Sequence, residues 1–185
     1  MRVIAGKARR LNLKSTPGLD TRPTIDRIKE TLFNILNPYI PGCNFLDLFS
    51  GSGSIGIEAL SRGAEFAAFV ENNSKAVSCI EENLEHTRLK ESALVLKKNV
   101  LSGINELSMR KYRFDIVYID PPYALGLEEE TLNALSKSNI IDKDSLIIIE
   151  ADKNNNLEFI GNTDFEITRQ KIYKTNKHYF LQLRS

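Results

Sequence analysis

Short apolar runs alternate with helix-like segments along most of this chain, and this alternation restricts the fold more than any other feature. The apolar runs are rich in Val, Ile, Leu and Phe, and they lie at 44–50, 66–71, 93–99, 114–120 and 145–151. The helix-like segments between them lie at 54–62, 74–88, 101–109 and 127–136. Near-continuous apolar strands separated by helices are typical of a parallel sheet that is covered on both faces. Right-handed crossovers between such strands predict a doubly wound, Rossmann-like α/β sheet.

The two ends of the chain depart from this alternation. Two strand-like runs, 165–173 and 178–184, are separated only by residues 174–177, which leave no room for a helix. They predict a terminal antiparallel β-hairpin, and therefore a mostly parallel sheet of seven strands. Residues before the first strand are basic and rich in turn formers, and Thr24 can N-cap a helix from 25 to 36. We expect one globular unit, with an N-terminal extension over 1–40 packed on a domain over 41–185.

Composition disfavours several classes of protein. No apolar run approaches 18 residues and the N-terminus lacks the apolar core of a signal peptide, so neither a membrane span nor an export signal is expected. Cys43 and Cys79 lack CxxC spacing, so we expect no metal, and free thiols suit the cytoplasm. The net charge is only +1, yet 1–14 and 167–185 are basic and contain no acid. These ends could form a surface for a polyanion, or they could be solvated and mobile.

A glycine-rich loop follows the first predicted strand. Gly51, Gly53 and Gly56 fit the pattern of a dinucleotide site, with Glu71 at the end of the second strand. Glycines allow close backbone approach, and such a carboxylate accepts ribose hydroxyls in NAD and S-adenosylmethionine alike. Asp47 favours S-adenosylmethionine, because a carboxylate beside the loop repels a pyrophosphate but attracts the ammonium of a methionine group. Alternatively, Asp47 only caps the following turn.

The third predicted strand ends in a weaker signal. The side chain of Asn99 can meet the edge of an adenine, with the Val100 backbone beside it. An asparagine before a helix is also a common N-cap, so both interpretations stay open.

The segment Asp120-Pro121-Pro122-Tyr123, at the end of the fourth strand, is the strongest chemical signal. Strands one and four flank the switch point of a doubly wound sheet, where ligands bind. An exocyclic base amine is a poor nucleophile, and the Asp120 carboxylate with a carbonyl near Pro121 can accept its two hydrogens. The prolines stiffen the turn, and Tyr123 offers a face for the base. We predict methyl transfer to the amine of an unstacked base; the alternative is a turn whose aspartate caps a helix.

The sequence resembles a known family along nearly its whole length. The resemblance is carried by MRVIAGKARR at the start, TRPTIDRIKETLFN at 21–34, LDLFSGSGSIGIEALSRGA at 46–64, FDIVYIDPPY at 114–123 and GLEEETL at 126–132. These blocks are similar to the RsmD family of bacterial 16S rRNA guanine-N2 methyltransferases, and the block at 21–34 is the most specific. The resemblance implies S-adenosylmethionine as cofactor. It also implies guanine 966 of 16S rRNA as target, in the small ribosomal subunit or an assembly intermediate.

The resemblance further implies a role for individual residues. The methionine part of the cofactor would contact Asp47, Phe49, Ser50, Gly51, Ser52 and Gly53. The rest of the cofactor would contact Glu71, Asn72, Asn99, Val100 and Thr24. The guanine amine would lie against Asp120, Pro121, Pro122 and Tyr123. The RNA would contact Arg2, Lys7, Arg9, Arg10, Arg22 and Arg27. Similar proteins often carry Asp in place of Asn99, so its adenine contact is the weakest of these expectations.

Three other functions stay open at this point. An amino methyltransferase acting on DNA would usually need a target-recognition domain, for which 185 residues leave no space. An NAD-dependent oxidoreductase would use the glycine pattern, and a non-catalytic RNA-binding assembly factor would keep only the fold. We expect a monomer that binds neither metal nor membrane.

Overall fold

A computed structural model describes residues 1–15, 23–122 and 126–184, with side chains in the first helix described from residue 26 onward. Seven strands form one sheet in the order β3-β2-β1-β4-β5-β7-β6. The strands are β1 (Asn44–Leu48), β2 (Phe66–Glu71), β3 (Ala93–Lys97), β4 (Ile116–Ile119), β5 (Leu146–Asp152), β6 (Phe165–Ile172) and β7 (Asn176–Leu183). The helices are α1 (Pro23–Leu36), α2 (Ser54–Ser61), α3 (Ser74–Thr87), α4 (Val100–Met109) and α5 (Leu127–Ser136).

The strand pairing confirms the predicted architecture. Strands β1 to β5 pair in parallel, with β1 at the centre between β2 and β4. Strand β7 runs antiparallel between β5 and β6, which gives the predicted terminal hairpin. Because the order of strands reverses between β1 and β4, a cleft is expected above the carboxyl ends of these two strands.

Both faces of the sheet are covered by apolar side chains. Leu46 and Leu48 of β1 belong to the layer beneath α4 and α5. Phe45 points to the other face and packs with side chains of α1, α2 and α3. Successive residues of a strand face opposite sides, so a strand covered on both sides needs apolar residues at every position. This is the reason for the continuous apolar runs in the sequence.

One predicted helix start is wrong. Helix α1 begins at Pro23, so Thr24 lies in its first turn and is not the N-cap. Proline is favoured at the first helical position because its missing N–H needs no partner there.

The N-terminal segment, residues 1–15, packs on α2. The carboxylate of Glu58 in α2 accepts hydrogen bonds from two backbone N–H groups of the segment, at 2.8 and 3.0 Å. Gly6 lies so close to this helix that a Cβ on it would stand 1.8 Å from the Ser61 carbonyl oxygen. Lys29 of α1 is buried and donates to the Arg2 carbonyl oxygen at 2.7 Å. The segment is therefore fixed to the core by specific contacts.

Two edges of the sheet are distinguished below. The carboxyl edge is where β1 to β5 end, and the amino edge is where they begin. Strand β7 begins at Asn176, which pairs with Asp152 at the end of β5, so the turn between β6 and β7 lies at the carboxyl edge. None of the helices in the described part of the chain is long and apolar enough to cross a membrane.

Candidate active site

The glycine loop between β1 and α2 has an unusual backbone. The φ angle is positive at Phe49 (61°), Gly51 (55°) and Gly53 (76°). A left-handed conformation is rare for an aromatic residue and costs about 1–3 kcal/mol, which is typical of ligand-binding loops. Apart from the chain neighbours of Gly51, no atom of the described residues lies within 4 Å of the position that a Cβ on this glycine would take. Sequence analysis missed the strained conformation of Phe49, because no residue pattern indicates it.

Asp47 lies buried beneath this loop. Its Oδ2 accepts a hydrogen bond from the Gly56 N–H at 3.0 Å, so the turn-capping contact considered above does exist. Burial raises the pKa of Asp47 to about 8, and the nearby Glu71 carboxylate adds to this rise against the opposing hydrogen bond from Gly56. None of the ion pairs within the described ranges includes Asp47. A bound cation would therefore stabilise its ionised form.

Glu71 connects the end of β2 to the loop. Its Oε2 accepts from the Gly51 N–H at 2.9 Å, and its Oε1 accepts from the Asn73 N–H at 2.8 Å. Ser50 and Ser52 have structural contacts of their own. The Ser50 hydroxyl donates to the Asp47 carbonyl oxygen at 2.6 Å, and the Ser52 carbonyl accepts from Asn83 at 3.0 Å. These hydrogen bonds fix the conformation of the loop.

A cavity of about 330 Å³ opens beside the loop at the ends of β2 and β3. Its wall brings together five predicted cofactor residues: Phe49, Glu71, Asn72, Asn99 and Val100. Sequence analysis missed the other lining residues, which are Val70, Lys98, Leu101, Leu127, Glu130 and Thr131. The last three come from α5, and their only signal was the block at 126–132 within the family resemblance. The volume is within the range of small-ligand pockets.

Two polar side chains of this cavity, Asn99 and Thr131, differ in their hydrogen bonds. The Asn99 Oδ1 accepts from the Ser102 N–H at 2.9 Å, so Asn99 is the N-cap of α4. An amide oxygen has a second lone pair, which leaves an adenine contact compatible with the cap. The Thr131 hydroxyl is buried and has no hydrogen-bond partner among the described residues. Such an orphaned hydroxyl costs about 1–3 kcal/mol, and a polar ligand atom would satisfy it.

The aspartate-proline segment leaves β4 at the carboxyl edge. Asp120 and Pro122 are exposed and Pro121 is buried. Desolvation by the surrounding protein, together with the carboxylates of Glu150 and Asp47, raises the pKa of Asp120 well above its ordinary value. Desolvation is the largest of these causes, and the two neighbouring carboxylates add to it. Tyr123 and Arg22 lie outside the described residues, as does the side chain of Thr24.

A buried polar network that sequence analysis missed lies next to Asp120. Glu150 of β5 accepts hydrogen bonds from the Tyr118 hydroxyl and from the Asn176 amide. Its Oε2 also lies 3.1 Å from Nε2 of His178 in β7. Burial raises the pKa of Glu150. The hydrogen bond and charge of His178, together with the hydrogen bonds from Tyr118 and Asn176, outweigh burial, so the pKa of Glu150 is lowered. Its only sequence signal was a carboxylate near the end of the fifth predicted strand.

The predicted RNA-binding residues fall into two groups. Lys7, Arg9 and Arg10 form an exposed turn that contacts the last residue of α2, where the Lys7 N–H donates to the Ser61 carbonyl at 2.8 Å. Because α2 starts at the glycine loop and its eight residues span about 12 Å, this turn lies towards the amino edge.

The second group lies near the start of α1. The Arg2 Nε stands 3.7 Å from the Asp26 carboxylate in the first turn of this helix. Arg27 is exposed beside it. The two groups adjoin through the backbone, because the Arg10 N–H donates to the carbonyl oxygen of Val3, the neighbour of Arg2, at 2.9 Å.

A larger cavity, of about 750 Å³, lies at the opposite side of the sheet. Its lining includes Tyr39, Asp115, Leu146 and Arg169. Asp115 and Leu146 stand at the beginning of β4 and β5, so this cavity is at the amino edge and is remote from Asp47 and Asp120. Within residues 1–15, 23–122 and 126–184, no group of three or more potential ligands gathers as a metal site.

Comparison with known proteins gives matches along almost the entire chain. The family model described as "Conserved hypothetical protein 95" matches residues 1–182. Ribosomal RNA small subunit methyltransferase D of Haemophilus influenzae is 38% identical over 156 residues, which are 83% of this chain and 79% of that protein. The Escherichia coli protein of the same name is 36% identical over 174 residues, 93% and 84% of the two chains. The solved structure of a hypothetical protein from Thermus thermophilus has a TM-score of 0.84 at 28% identity, and the match covers 99% of each chain.

Proposed function

Because this chain belongs to the RsmD family of ribosomal RNA methyltransferases, we propose that it methylates the exocyclic N2 amine of a guanine in 16S rRNA. The family resemblance supports guanine 966 as the target. The observation that carries the proposal is the pairing of Asp47 with Tyr118 in adjacent strands. Because Asp120 follows Tyr118 by two residues, this pairing brings Asp47 and Asp120 to the same edge of the sheet. We further propose a monomer that acts in the cytoplasm on the small subunit or its assembly intermediate.

The cofactor pocket supports S-adenosylmethionine, the methyl donor of this family. When bound, the cofactor supplies a methyl group activated by its sulfonium. The buried Asp47 carboxylate would attract the cofactor's ammonium, which would return the pKa of this carboxyl towards its ordinary value. Glu71 would accept the ribose hydroxyls, and the cavity beside it would hold the adenosine. Thr131 of α5 also lines this cavity, and its buried hydroxyl has no hydrogen-bond partner among the described residues, which supports a polar ligand atom beside it.

Asp120 would hold the target amine. Its ionised carboxylate accepts one N–H of the amine and turns the nitrogen lone pair towards the methyl group. After transfer, the methylated nitrogen carries an extra proton, which the Asp120 carboxylate or water can take. The raised pKa of Asp120 makes its carboxylate a better proton acceptor than an ordinary aspartate.

An oxidoreductase and a non-catalytic assembly factor would each make different demands on the residues at the carboxyl edge. A dinucleotide oxidoreductase would place a pyrophosphate near the buried Asp47, whose carboxyl would have to stay protonated there to avoid charge repulsion. A non-catalytic assembly factor would have no need of an aspartate at position 120. Neither alternative is favoured by a specific contact.

The decisive experiment is mass spectrometry of nucleosides from 16S rRNA of a strain that lacks the gene. We expect one N2-methylguanosine to disappear, and to return with the wild-type gene but not with Asp120→Ala. Glu166→Ala removes an exposed carboxylate from β6 and is the matched control, which should restore the modification. An unchanged level of N2-methylguanosine in the deletion strain would reject the proposed target.

A further inference from the structure

The two halves of the carboxyl edge have different surroundings. The candidate cofactor cavity occupies the half formed by β1, β2 and β3. Asp120 follows β4, at the boundary between the halves. The remaining half consists of the ends of β5 and the turn between β6 and β7. A substrate can therefore bring a base to Asp120 over β5 and this turn, which are not among the described lining residues of the cofactor cavity.

The surface on that approach is basic. We call it the hairpin surface and define it by Lys153, Asn154, Lys171, Tyr173 and Lys174. Lys153, Asn154 and Lys174 are exposed, while Lys171 and Tyr173 are half-buried. The Lys153 N–H donates to the Thr175 carbonyl oxygen at 3.1 Å, which holds the end of β5 against the turn.

The hairpin surface as defined contains three lysines and no acid. None of the ion pairs in the described part of the chain includes them. The nearest acid in sequence, Asp152, accepts a hydrogen bond from the Asn154 N–H at 2.8 Å. Unpaired ammonium groups on a rigid hairpin are the groups that bind phosphate oxygens in nucleic-acid complexes.

Other basic residues near the C-terminus do not belong to this surface. Lys177 is buried, donates to the Asn156 side chain at 2.9 Å, and lies 5.1 Å from the Tyr179 ring centroid. Arg169 lines the cavity at the amino edge. Arg184 donates to the Thr163 carbonyl oxygen at the far end of the hairpin. The basic end of the sequence is thus divided, and only part of it faces the carboxyl edge.

Hydrogen bonds link the hairpin surface to Glu150. Glu150 and Asp120 lie side by side, because each follows one residue of the Ile119–Ile149 pair of β4 and β5. The Tyr173 hydroxyl lies 3.1 Å from Nδ1 of His178, whose Nε2 lies 3.1 Å from Glu150. Strand β7 stands two strands away from β4, a separation of about 10 Å. Nucleotides next to the target base are therefore within reach of the turn.

We propose that the hairpin surface binds the phosphates of the RNA segment that flanks the target base, with Lys153, Lys171 and Lys174 as the phosphate contacts. This inference rests on the proposed function, since it takes RNA as the substrate and the end of β4 as the base site. It adds a binding surface that is separate from the N-terminal arginines. The exposed turn at Lys7 to Arg10 contacts Ser61 at the end of α2 and shares no residue with the hairpin surface.

The test is the salt dependence of RNA binding by a variant with Lys153→Gln, Lys171→Gln and Lys174→Gln. The probes are polyuridylate and a 16S rRNA fragment that contains the target loop. Each lost phosphate contact lowers the slope of log Kd against log salt by about 0.7 for single strands, so three contacts predict a decrease of about 2. The affinity should fall about tenfold to a hundredfold at low salt. A double variant without Lys171→Gln avoids the half-buried site and should lose about two thirds of the effect.

The matched control removes three exposed lysines from the amino edge: Lys111, Lys137 and Lys143. It has the same net charge as the test variant, so it should keep nearly the wild-type slope if position matters. Calorimetry should give wild-type affinity for S-adenosylmethionine in both variants. Equal slopes in the test variant and the control would overturn the hairpin surface, even if the wild-type protein methylates RNA.

Failure of the proposed function gives a different result. A wild-type protein that methylates no RNA, but whose RNA-binding slope falls only in the test variant, would reject the function and keep the surface. A test variant that binds and methylates free RNA normally, but fails on the assembled small subunit, would show that the surface contacts a ribosomal protein, and this outcome would also overturn the RNA proposal.

Discussion

His178 and Glu150 face each other as a register pair of β7 and β5, with the His178 Nε2 3.1 Å from the Glu150 Oε2. The imidazole is completely buried, and its other nitrogen lies 3.1 Å from the Tyr173 hydroxyl. The terminal hairpin therefore supplies more than an antiparallel edge to the sheet. It holds the Glu150 carboxylate, whose negative charge raises the pKa of Asp120, so a change in the hairpin should change the pKa of Asp120.

The buried imidazole should contribute strongly to stability. His178→Ala removes a hydrogen-bond partner from a buried carboxylate, and we expect a loss of about 1–3 kcal/mol in the free energy of unfolding. Urea unfolding at neutral pH measures it. His86→Ala is the control, because His86 is exposed on α3 and its loss should change the free energy by less than about 0.5 kcal/mol. Equal effects of the two substitutions would show that the His178–Glu150 contact does not stabilise the fold.

Glu150 should set the pH at which the enzyme becomes active. Its charge raises the pKa of Asp120, and Asp120 must be ionised to accept the amine hydrogen. Glu150→Gln removes this charge and lowers the pKa of Asp120, so the acidic limb of the pH–rate profile should shift to lower pH. Single-turnover methylation measured between about pH 5 and 9 tests the shift. Glu166→Gln, at an exposed position of β6, should leave the limb in place; a limb that also stays in place for Glu150→Gln would contradict the coupling.

The sequence allowed the fold to be predicted because two-sided burial leaves a direct pattern. The runs that became β1 to β5 are apolar at consecutive positions, and the topology of parallel strands then brings Asp47 and Asp120 to one edge. The wall of the cofactor cavity could not be predicted in the same way. Thr131 reaches it from α5, and its position depends on how that helix packs rather than on a local pattern.

Several contacts and conformations around the site could not be predicted from the sequence either. The link from His178 to Glu150 depends on the register of two strands 28 residues apart in sequence. The positive φ of Phe49 is a property of the folded loop and has no signature in residue type. Charge and the family resemblance assigned Arg9 and Arg10 to the RNA, but neither indicated that their turn packs against Ser61 at the end of α2. Long-range packing decides each of these features.

Asp47 should make the protein without cofactor less stable as the pH rises. Its pKa of about 8 in the folded state lies above the ordinary value of about 3.9, so the folded protein binds the extra proton between these values. Stability is then lost as the pH rises from about 4 to about 8. Asp47→Asn cannot ionise and keeps an acceptor for Gly56. It should exceed the wild type in stability by a few kcal/mol at about pH 8, and by little near pH 4.

The same Asp47 variant should bind S-adenosylmethionine much more weakly, because the amide does not attract the ammonium. Thermal unfolding at the two pH values and calorimetry with the cofactor measure the two effects. Asp115→Asn, at the amino edge, is the control for cofactor binding. If Asp47→Asn kept wild-type affinity for the cofactor, Asp47 would be only the cap of the loop turn.

Substitution of Thr131 should have opposite effects on the stability of the protein and on its affinity for the cofactor. Thr131→Val replaces an orphaned hydroxyl with a methyl group of similar size, so the protein without cofactor should become more stable by about 1 kcal/mol. If a ligand atom satisfies the hydroxyl in the complex, the same variant should bind S-adenosylmethionine about tenfold more weakly. Thr87→Val is the matched control. Its hydroxyl donates to the Asn83 carbonyl oxygen at 2.7 Å, so its loss should destabilise the protein and leave cofactor affinity unchanged. A Thr131→Val protein with wild-type affinity would mean that the Thr131 hydroxyl makes no contact with the cofactor.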